Sequence, residues 1–362
     1  MLCATMTSPG KIEFAEAAKP GYGAHDVLLR IRRIGICGSD VHVFHGKHPY
    51  TSYPVVQGHE FCGEVAEIGA GVQNFQPGDL VTAPPQIVCG KCLPCREGRY
   101  HICEALKVIG FQAPGVAQEF FVFPESSLLK LPAGFTPETG ALVEPAAVAV
   151  HAVGRAGNVA GLGVLVLGAG PIGNLVAQVA RWRGAREVLV SDVSDPRLAI
   201  ARQCGITHTV NPRSASVETA VTEAFGADRA AVAFECVGRA ETANQAIRGV
   251  RKGGRVVVVG VFGECPTIDL GLVQDRELEL RGTLMYQRHD YVEAIRCLAE
   301  RGIAVEPLLT RSFPFRRYLD AYAFIEANQE HAMKIMINLD EPAEAPGPSG
   351  AAPPAENTHG QN

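Results

Sequence analysis

Gly163-Val-Leu-Val-Leu-Gly-Ala-Gly-Pro-Ile-Gly173 decides the fold of this chain. Four consecutive apolar residues run into three glycines, Gly168, Gly170 and Gly173, and then into a helical pattern over Ile172–Arg183. In a strand–turn–helix unit of this kind the first glycine permits the tight turn and the second lets backbone approach a pyrophosphate. The third allows close helix–strand contact. Unpaired amides at the helix start, where Pro171 and Ile172 stand, then offer positive partial charge to phosphate. The next apolar run, Glu187–Ser191, is followed by Asp192, at about the 20-residue spacing of a carboxylate that accepts hydrogen bonds from ribose hydroxyls. This predicts a dinucleotide site and favours NAD over NADP, with Arg197 close enough to bear on that choice.

The pattern repeats on either side. Ala231–Glu235 and Arg255–Val259 are further apolar strands, and helix-like stretches lie between the runs at Pro196–Cys204, Ser216–Phe225 and Glu241–Gly249. Near-continuous apolar strands alternating with helices imply a parallel sheet covered on both faces. With His208–Val210 and Leu278–Arg281 the sheet reaches six strands, a Rossmann arrangement over residues 144–284. Before it, Val27–Cys37 and Glu60–Ile68 alternate with period 2, and Gly-rich turns follow. Residues 1–143 therefore read as an all-β, barrel-like domain. After Met285 two amphipathic helices, Tyr291–Arg301 and Tyr318–Asn328, and one strand, Lys334–Asn338, are assigned back to it as 285–340. The fold class is mixed α/β. Residues 341–362 hold almost no large apolar side chain and are expected to be disordered.

Charge and cysteine usage narrow the function. The net charge of −5 lacks any basic stripe, which argues against a nucleic-acid partner. No run approaches the roughly 18 apolar residues of a membrane span, and the N-terminus lacks a signal-peptide pattern. Eleven cysteines, an odd number, point to reduced thiols and metal ligands in a cytoplasmic protein. Cys89, Cys92, Cys95 and Cys103 lie within fifteen residues, and two-residue gaps let thiolates converge on one tetrahedral zinc. Four thiolates leave no open position, so this ion is structural; an iron–sulfur cluster and a redox pair are the rivals. His101, inside the loop, reads as a solvated residue.

A catalytic zinc needs about three protein ligands and one exchangeable position. Cys37, His59 and Glu144 offer thiolate, imidazole and carboxylate. Singly, each also reads as something plainer: a buried thiol, a turn histidine, a helix N-terminal carboxylate. Spacing alone does not bring them together.

Taken in order, Cys37-Gly-Ser39-Asp40-Val-His42, Gly58-His59-Glu60, the four-cysteine lobe, Glu144-Pro145 and the glycine turn resemble the zinc-dependent medium-chain dehydrogenases. The likeness covers about residues 3–340. It is nearest the polyol branch of sorbitol and threonine dehydrogenases, because Glu144 stands where alcohol dehydrogenases carry a cysteine. The resemblance implies a GroES-like barrel joined to the Rossmann domain, with two zinc ions per chain. It makes Cys37, His59 and Glu144 ligands of the catalytic zinc and Glu60 a carboxylate that exchanges with its water. Asp40 would orient the His59 ring, Ser39 contact the substrate hydroxyl and His42 pass its proton to solvent. Val259, Val261 and Leu284 would line the nicotinamide.

The expected reaction is hydride transfer between NAD and a secondary hydroxyl of a polyol, sugar or sugar acid. Polar contacts from Gly46–Tyr50, Phe111, Gln287, Arg288 and His289 would suit such a substrate, although all of these also read as solvated loop residues. A small-diol or threonine dehydrogenase is the near alternative, and a non-catalytic NAD-binding protein with structural zinc only is the distant one. A homodimer or homotetramer is expected through a sheet edge.

Overall fold

The computed structural model of the chain describes residues 1–340; the tail expected to be disordered, 341–362, lies outside the described residues. Six parallel strands form one sheet in the spatial order His208–Val210, Glu187–Ser191, Gly163–Leu167, Ala230–Glu235, Val250–Val258, Glu279–Gly282. Along the chain this is 3-2-1-4-5-6, so strand order reverses between Gly163–Leu167 and Ala230–Glu235, where such sheets bind dinucleotides. Period 2 sends Val164 and Val166 to one face, against Leu175 and Val176 of the helix Pro171–Trp182. Leu165 and Leu167 go to the other, against Val221 and Ile247. Both faces of the inner strands are dry, which is why those strands carry no alternation of polar residues.

The expected helices stand within a residue or so of their predicted bounds, at Pro171–Trp182, Asp195–Gln203, Val217–Phe225 and Ala240–Gly249. The fifth strand differs. It was expected to begin at Arg255 but spans Val250–Val258, because Val250 pairs with Ala230 and the register shifts before pairing resumes at Val232 and Arg255. Lys252-Gly-Gly254 bends the strand rather than ending it.

A second, seven-stranded sheet is centred on Asp26–Ile36, which pairs antiparallel with Glu60–Ile68 on one side and Lys334–Asn338 on the other. The C-terminal strand thus returns to the sheet of the N-terminal residues. Leu309–Pro314 extends it beyond that strand, and a separate hairpin pairs Leu2–Ser8 with Lys11–Glu16. Neither was foreseen; Arg311 and Ser312 are exposed and break the apolar run that marks a strand.

The helix Val143–Ala156 joins the two halves. Most of its 14 residues are buried. One continuous apolar cluster runs from Cys62 and Leu131 on the barrel side through Ala146 and Val150 to Val164 and Val166 of the parallel sheet. Among the described residues no helix is long and apolar enough to cross a membrane.

Candidate active site

At the reversal of strand order, Gly168 takes φ +101° and its amide donates to the Ser191 carbonyl at 2.7 Å. A Cβ on Gly173 would stand 1.9 Å from the Gly168 carbonyl oxygen, so the helix can approach the turn only without one. Gly170 caps the helix with no side-chain acceptor, and Pro171 follows, leaving amides of the first turn open to an anion. Asp192 borders this turn: its carboxylate accepts from the Ala169 amide at 2.7 Å and the Ser194 amide at 2.8 Å. Arg197 flanks the other side. Its Nη1 lies 3.7 Å from where a Cβ on Gly170 would be, and Nη2 donates to the Gln329 carbonyl at 2.6 Å.

The metal-ligating side chains of the cleft come together through strand register. Gly35 pairs with Glu60, so Cys37, just past one strand, lies beside His59 and Glu60 at the start of the next. One ligand atom from each of Cys37, His59 and Glu60 lies within 4.8 Å of the others. Cys37 opens the helix Gly38–Phe44, where Asp40 accepts its amide at 2.9 Å. His59 Nδ1 is buried without a hydrogen-bond partner and stands 3.6 Å from Asp40. A thiolate, an imidazole and a carboxylate around one point fit a zinc ion with an open position, and Asp40 beside Nδ1 leaves the other ring nitrogen of His59 for the metal.

Glu144 opens the joining helix and is buried close by, outside that 4.8 Å group. Its Oε1 accepts the Tyr286 hydroxyl. Burial pushes the Glu144 carboxyl up to about 7; His59, the Tyr286 hydroxyl and Lys334 oppose the rise and Glu60 adds to it. Lys334 is itself buried and sits 2.5 Å from both Glu60 oxygens. Burial works against its charge, but Glu60 and Cys37 outweigh burial and hold its pKa above the ordinary lysine value.

The sulfurs of Cys89, Cys92, Cys95 and Cys103 likewise converge within 4.8 Å, unbridged by disulfides. The Cys92 amide donates to Cys89 Sγ and the Cys89 amide to Cys103 Sγ, both at 3.3 Å. Backbone amides of Lys91 and Cys92 draw the Cys89 thiol down to about 6, favouring the thiolate a zinc requires.

Two family models match the chain: the alcohol dehydrogenase GroES-like domain over residues 23–133 and the zinc-binding dehydrogenase over residues 171–300. A 2-dehydro-3-deoxy-L-galactonate 5-dehydrogenase of Pseudoalteromonas atlantica is 38% identical over 318 residues, 88% of this chain and 92% of its own. The chain is a zinc-binding medium-chain dehydrogenase. An L-threonine 3-dehydrogenase of Legionella pneumophila is 31% identical over 88% of this chain and 94% of its own. A zinc-binding dehydrogenase structure from Sinorhizobium meliloti bound to NADP superposes with a TM-score of 0.85 at 31% identity, covering 93% of this chain and 98% of that one. The N-terminal unit is accordingly GroES-like, and the enzyme is a zinc-containing, NAD(P)-dependent alcohol or polyol dehydrogenase of this family.

Other expected residues of the dehydrogenase divide. Ser39 is half-buried and His42 exposed, both on the helix that Cys37 opens. Phe111 lies against His59, with ring centroids 4.9 Å apart, and His48 stacks on Phe111 at 4.8 Å; Tyr50 is exposed at the rim. Val259 is half-buried beside the fourth strand's end, whereas Val261 and Leu284 are exposed. Three expectations need correction. His101 is buried against His151, not solvated, because its ring fills the gap between the lobe and the joining helix. Gln287 and Arg288 do not present free polar groups: the amide of Gln287 is bound to Gly98 and His101, and the guanidinium of Arg288 to the carbonyls of Ser126, Ser127 and Leu128.

Three residues escaped the reading. Lys334 had one signal, a charge opening an otherwise apolar strand. Glu235 had the same signal at the end of Ala231–Glu235; it is fully buried and accepts the amides of Val237 and Gly238 and the Thr242 hydroxyl, fixing the turn across the crevice. Tyr286 had none.

Proposed function

We propose that this dehydrogenase oxidises a secondary hydroxyl of a sugar acid or polyol, reversibly, with NAD as the hydride acceptor. The observation that carries the reading is the convergence of Cys37, His59 and Glu60 on one point, with Glu144 buried beside them. Bound there, zinc would supply Lewis-acid polarisation of the substrate oxygen. Cys37 and His59 would hold it, with Glu60 and Glu144 as the carboxylates competing for the remaining position. Lys334 holds Glu60 in place, and Asp40 faces the buried nitrogen of His59, fixing the ring. Ser39 and His42 are three residues apart on one helix and so share a face; Ser39 would contact the reacting hydroxyl and the exposed His42 would release its proton to solvent. Phe111 and His48 wall the cleft above His59 and help exclude water.

The Asp192 carboxylate supports NAD, since it would repel a 2′-phosphate. The sugar-acid preference is supported by the galactonate-type relative, and a threonine-type substrate by the other. The catalytic unit is taken as residues 1–143 with 285–340 and the cofactor unit as 144–284, both in a cytoplasmic homodimer or homotetramer joined through the edge strand Glu279–Gly282. Steady-state rates with NAD and NADP on hexonates, hexitols, 2,3-butanediol and L-threonine test the proposal. A hexonate or hexitol should lead kcat/KM by tenfold or more with NAD; a lead for threonine or for NADP would overturn it.

A further inference from the structure

Nothing in the chemistry above uses the four-cysteine lobe, yet its hydrogen bonds converge on one short segment, Tyr286-Gln287-Arg288. The Gln287 side-chain amide donates to the Gly98 carbonyl at 2.8 Å and meets His101 Nδ1 at 3.0 Å. The Arg288 amide donates to the Tyr100 hydroxyl at 2.6 Å. Gln86, on the strand that leads into the lobe, donates to the Tyr286 carbonyl at 2.7 Å. Gly98, Tyr100 and His101 all fall between Cys95 and Cys103, in the loop that the fourth sulfur closes. Within Cys89–Cys103 only His101 and Cys103 are buried, so apolar packing cannot hold that loop and metal binding must.

The other end of the same segment reaches the cleft. Tyr286 is fully buried, its ring stands edge-on to Tyr291 at 5.1 Å, and its hydroxyl donates to Glu144. A phenol is protonated at neutral pH and a carboxylate can only accept, so the hydroxyl is the donor of this pair. Met285, just before it, holds φ +50°, a conformation that a non-glycine residue rarely adopts and that persists only where surroundings impose it.

We propose that the four-cysteine lobe is a clamp that positions the Glu144 carboxylate of the dehydrogenase through Gln287 and Tyr286. Gln287 and Tyr286 are positioning residues: the lobe fixes Gln287, Gln287 fixes the backbone that carries Tyr286, and the Tyr286 hydroxyl fixes one oxygen of Glu144. The lobe's zinc therefore sets turnover as well as stability. The proposal takes from the dehydrogenase reading only its kinetic readout.

The test is a double-mutant cycle on the zinc-loaded enzyme with Tyr286→Phe and Gln287→Ala, each checked for zinc content. Tyr286→Phe keeps the ring and removes one hydroxyl. It should lower kcat by one to two orders of magnitude with KM changed less than threefold. Gln287→Ala should lower kcat about tenfold, and adding it to Tyr286→Phe should lower kcat no further, because both act on one hydrogen bond. Losses that multiply in the double variant, or wild-type kcat in Gln287→Ala, would overturn the clamp. A second measurement needs no turnover. Hydrogen exchange of the peptide spanning 285–290 should accelerate at least tenfold in Gln287→Ala and in Cys95→Ser protein that has lost its lobe zinc, while peptides of Glu187–Ser191 stay protected. Unchanged exchange at 285–290 in Gln287→Ala would refute the proposal even if no alcohol tried were a substrate.

Discussion

The lobe at Cys89–Cys103 and the cleft at Cys37, His59 and Glu60 hold similar donor atoms but are assembled by opposite means. In the lobe all four ligands come from one short loop that is mostly half-buried or exposed, and neighbouring amides already lean on the sulfurs. In the cleft the ligands come from the ends of two strands paired directly with each other, His59 and Glu60 are buried, and a lysine from the far end of the chain holds one of them. The difference separates two uses of one kind of chemistry. A local site folds around its ion; a long-range site is folded before the ion arrives and can leave a position open.

The sharpest way to break this contrast is to remove one thiol from each site. Cys37→Ser should leave a folded protein with one zinc and cut kcat at least about 1000-fold, the loss expected when several kcal/mol of charge stabilisation disappear. Cys92→Ser should also hold one zinc but unfold at markedly lower temperature. Zinc analysis with thermal melts reads both, and equal destabilisation of the two variants would erase the distinction. Next in size is Lys334→Met, which strands a buried Glu60 carboxylate and should cost about 3–5 kcal/mol in urea denaturation. Combining it with Glu60→Gln should restore much of the loss, as a prefolded site requires.

Gly173→Ala tests the same preformed geometry in the cofactor unit. Its methyl meets the Gly168 carbonyl, so a cost of about 1–3 kcal/mol in stability is expected from overpacking, with weaker dinucleotide binding by titration calorimetry. The smallest effect concerns the long-range scaffold. Glu138, in the turn of helix before Glu144, accepts Arg33 Nε at 2.6 Å from the central barrel strand. Burial acts against its ionised form, but its own helix amide and Arg33 prevail and hold its pKa below the usual carboxylate value. Its stabilisation is therefore full above the unfolded carboxyl pKa and fades as pH falls through the depressed folded value. Glu138→Gln should flatten that acid limb by under about 1 kcal/mol, measured as urea midpoints between pH 3 and 7.

The same contrast explains what the chain discloses before it is folded. The lobe is written in spacing, and so is the glycine turn, because each site is made by neighbours. The four inner strands are equally legible as apolar runs, since both faces of a parallel sheet reject polar side chains, whereas the edge strands His208–Val210 and Glu279–Gly282 carry polar residues and give a weaker signal. Cys37, His59 and Glu144 drew plain alternative readings, and only a likeness to a whole family joined them, since register between Gly35 and Glu60 is not visible in either stretch alone. Lys334 and Glu235 each left a trace as a charge inside an apolar run. Tyr286 left none: a tyrosine after Leu284-Met285 has no pattern that points 142 positions back to Glu144. His101 was misjudged because a polar residue in a loop looks solvated until the surface covering it is known, and Gln287 and Arg288 because the carbonyls that bind them lie in distant stretches of the chain.

The helix Val143–Ala156 carries a last implication. Its apolar side packs on the parallel sheet and also meets the barrel at Cys62, Leu129 and Leu131, so separating the halves at this helix bares apolar surface on both. Heat should melt the enzyme in one calorimetric peak rather than two, and a gene cut at the boundary before this helix should yield fragments that aggregate apart yet recover solubility when expressed together.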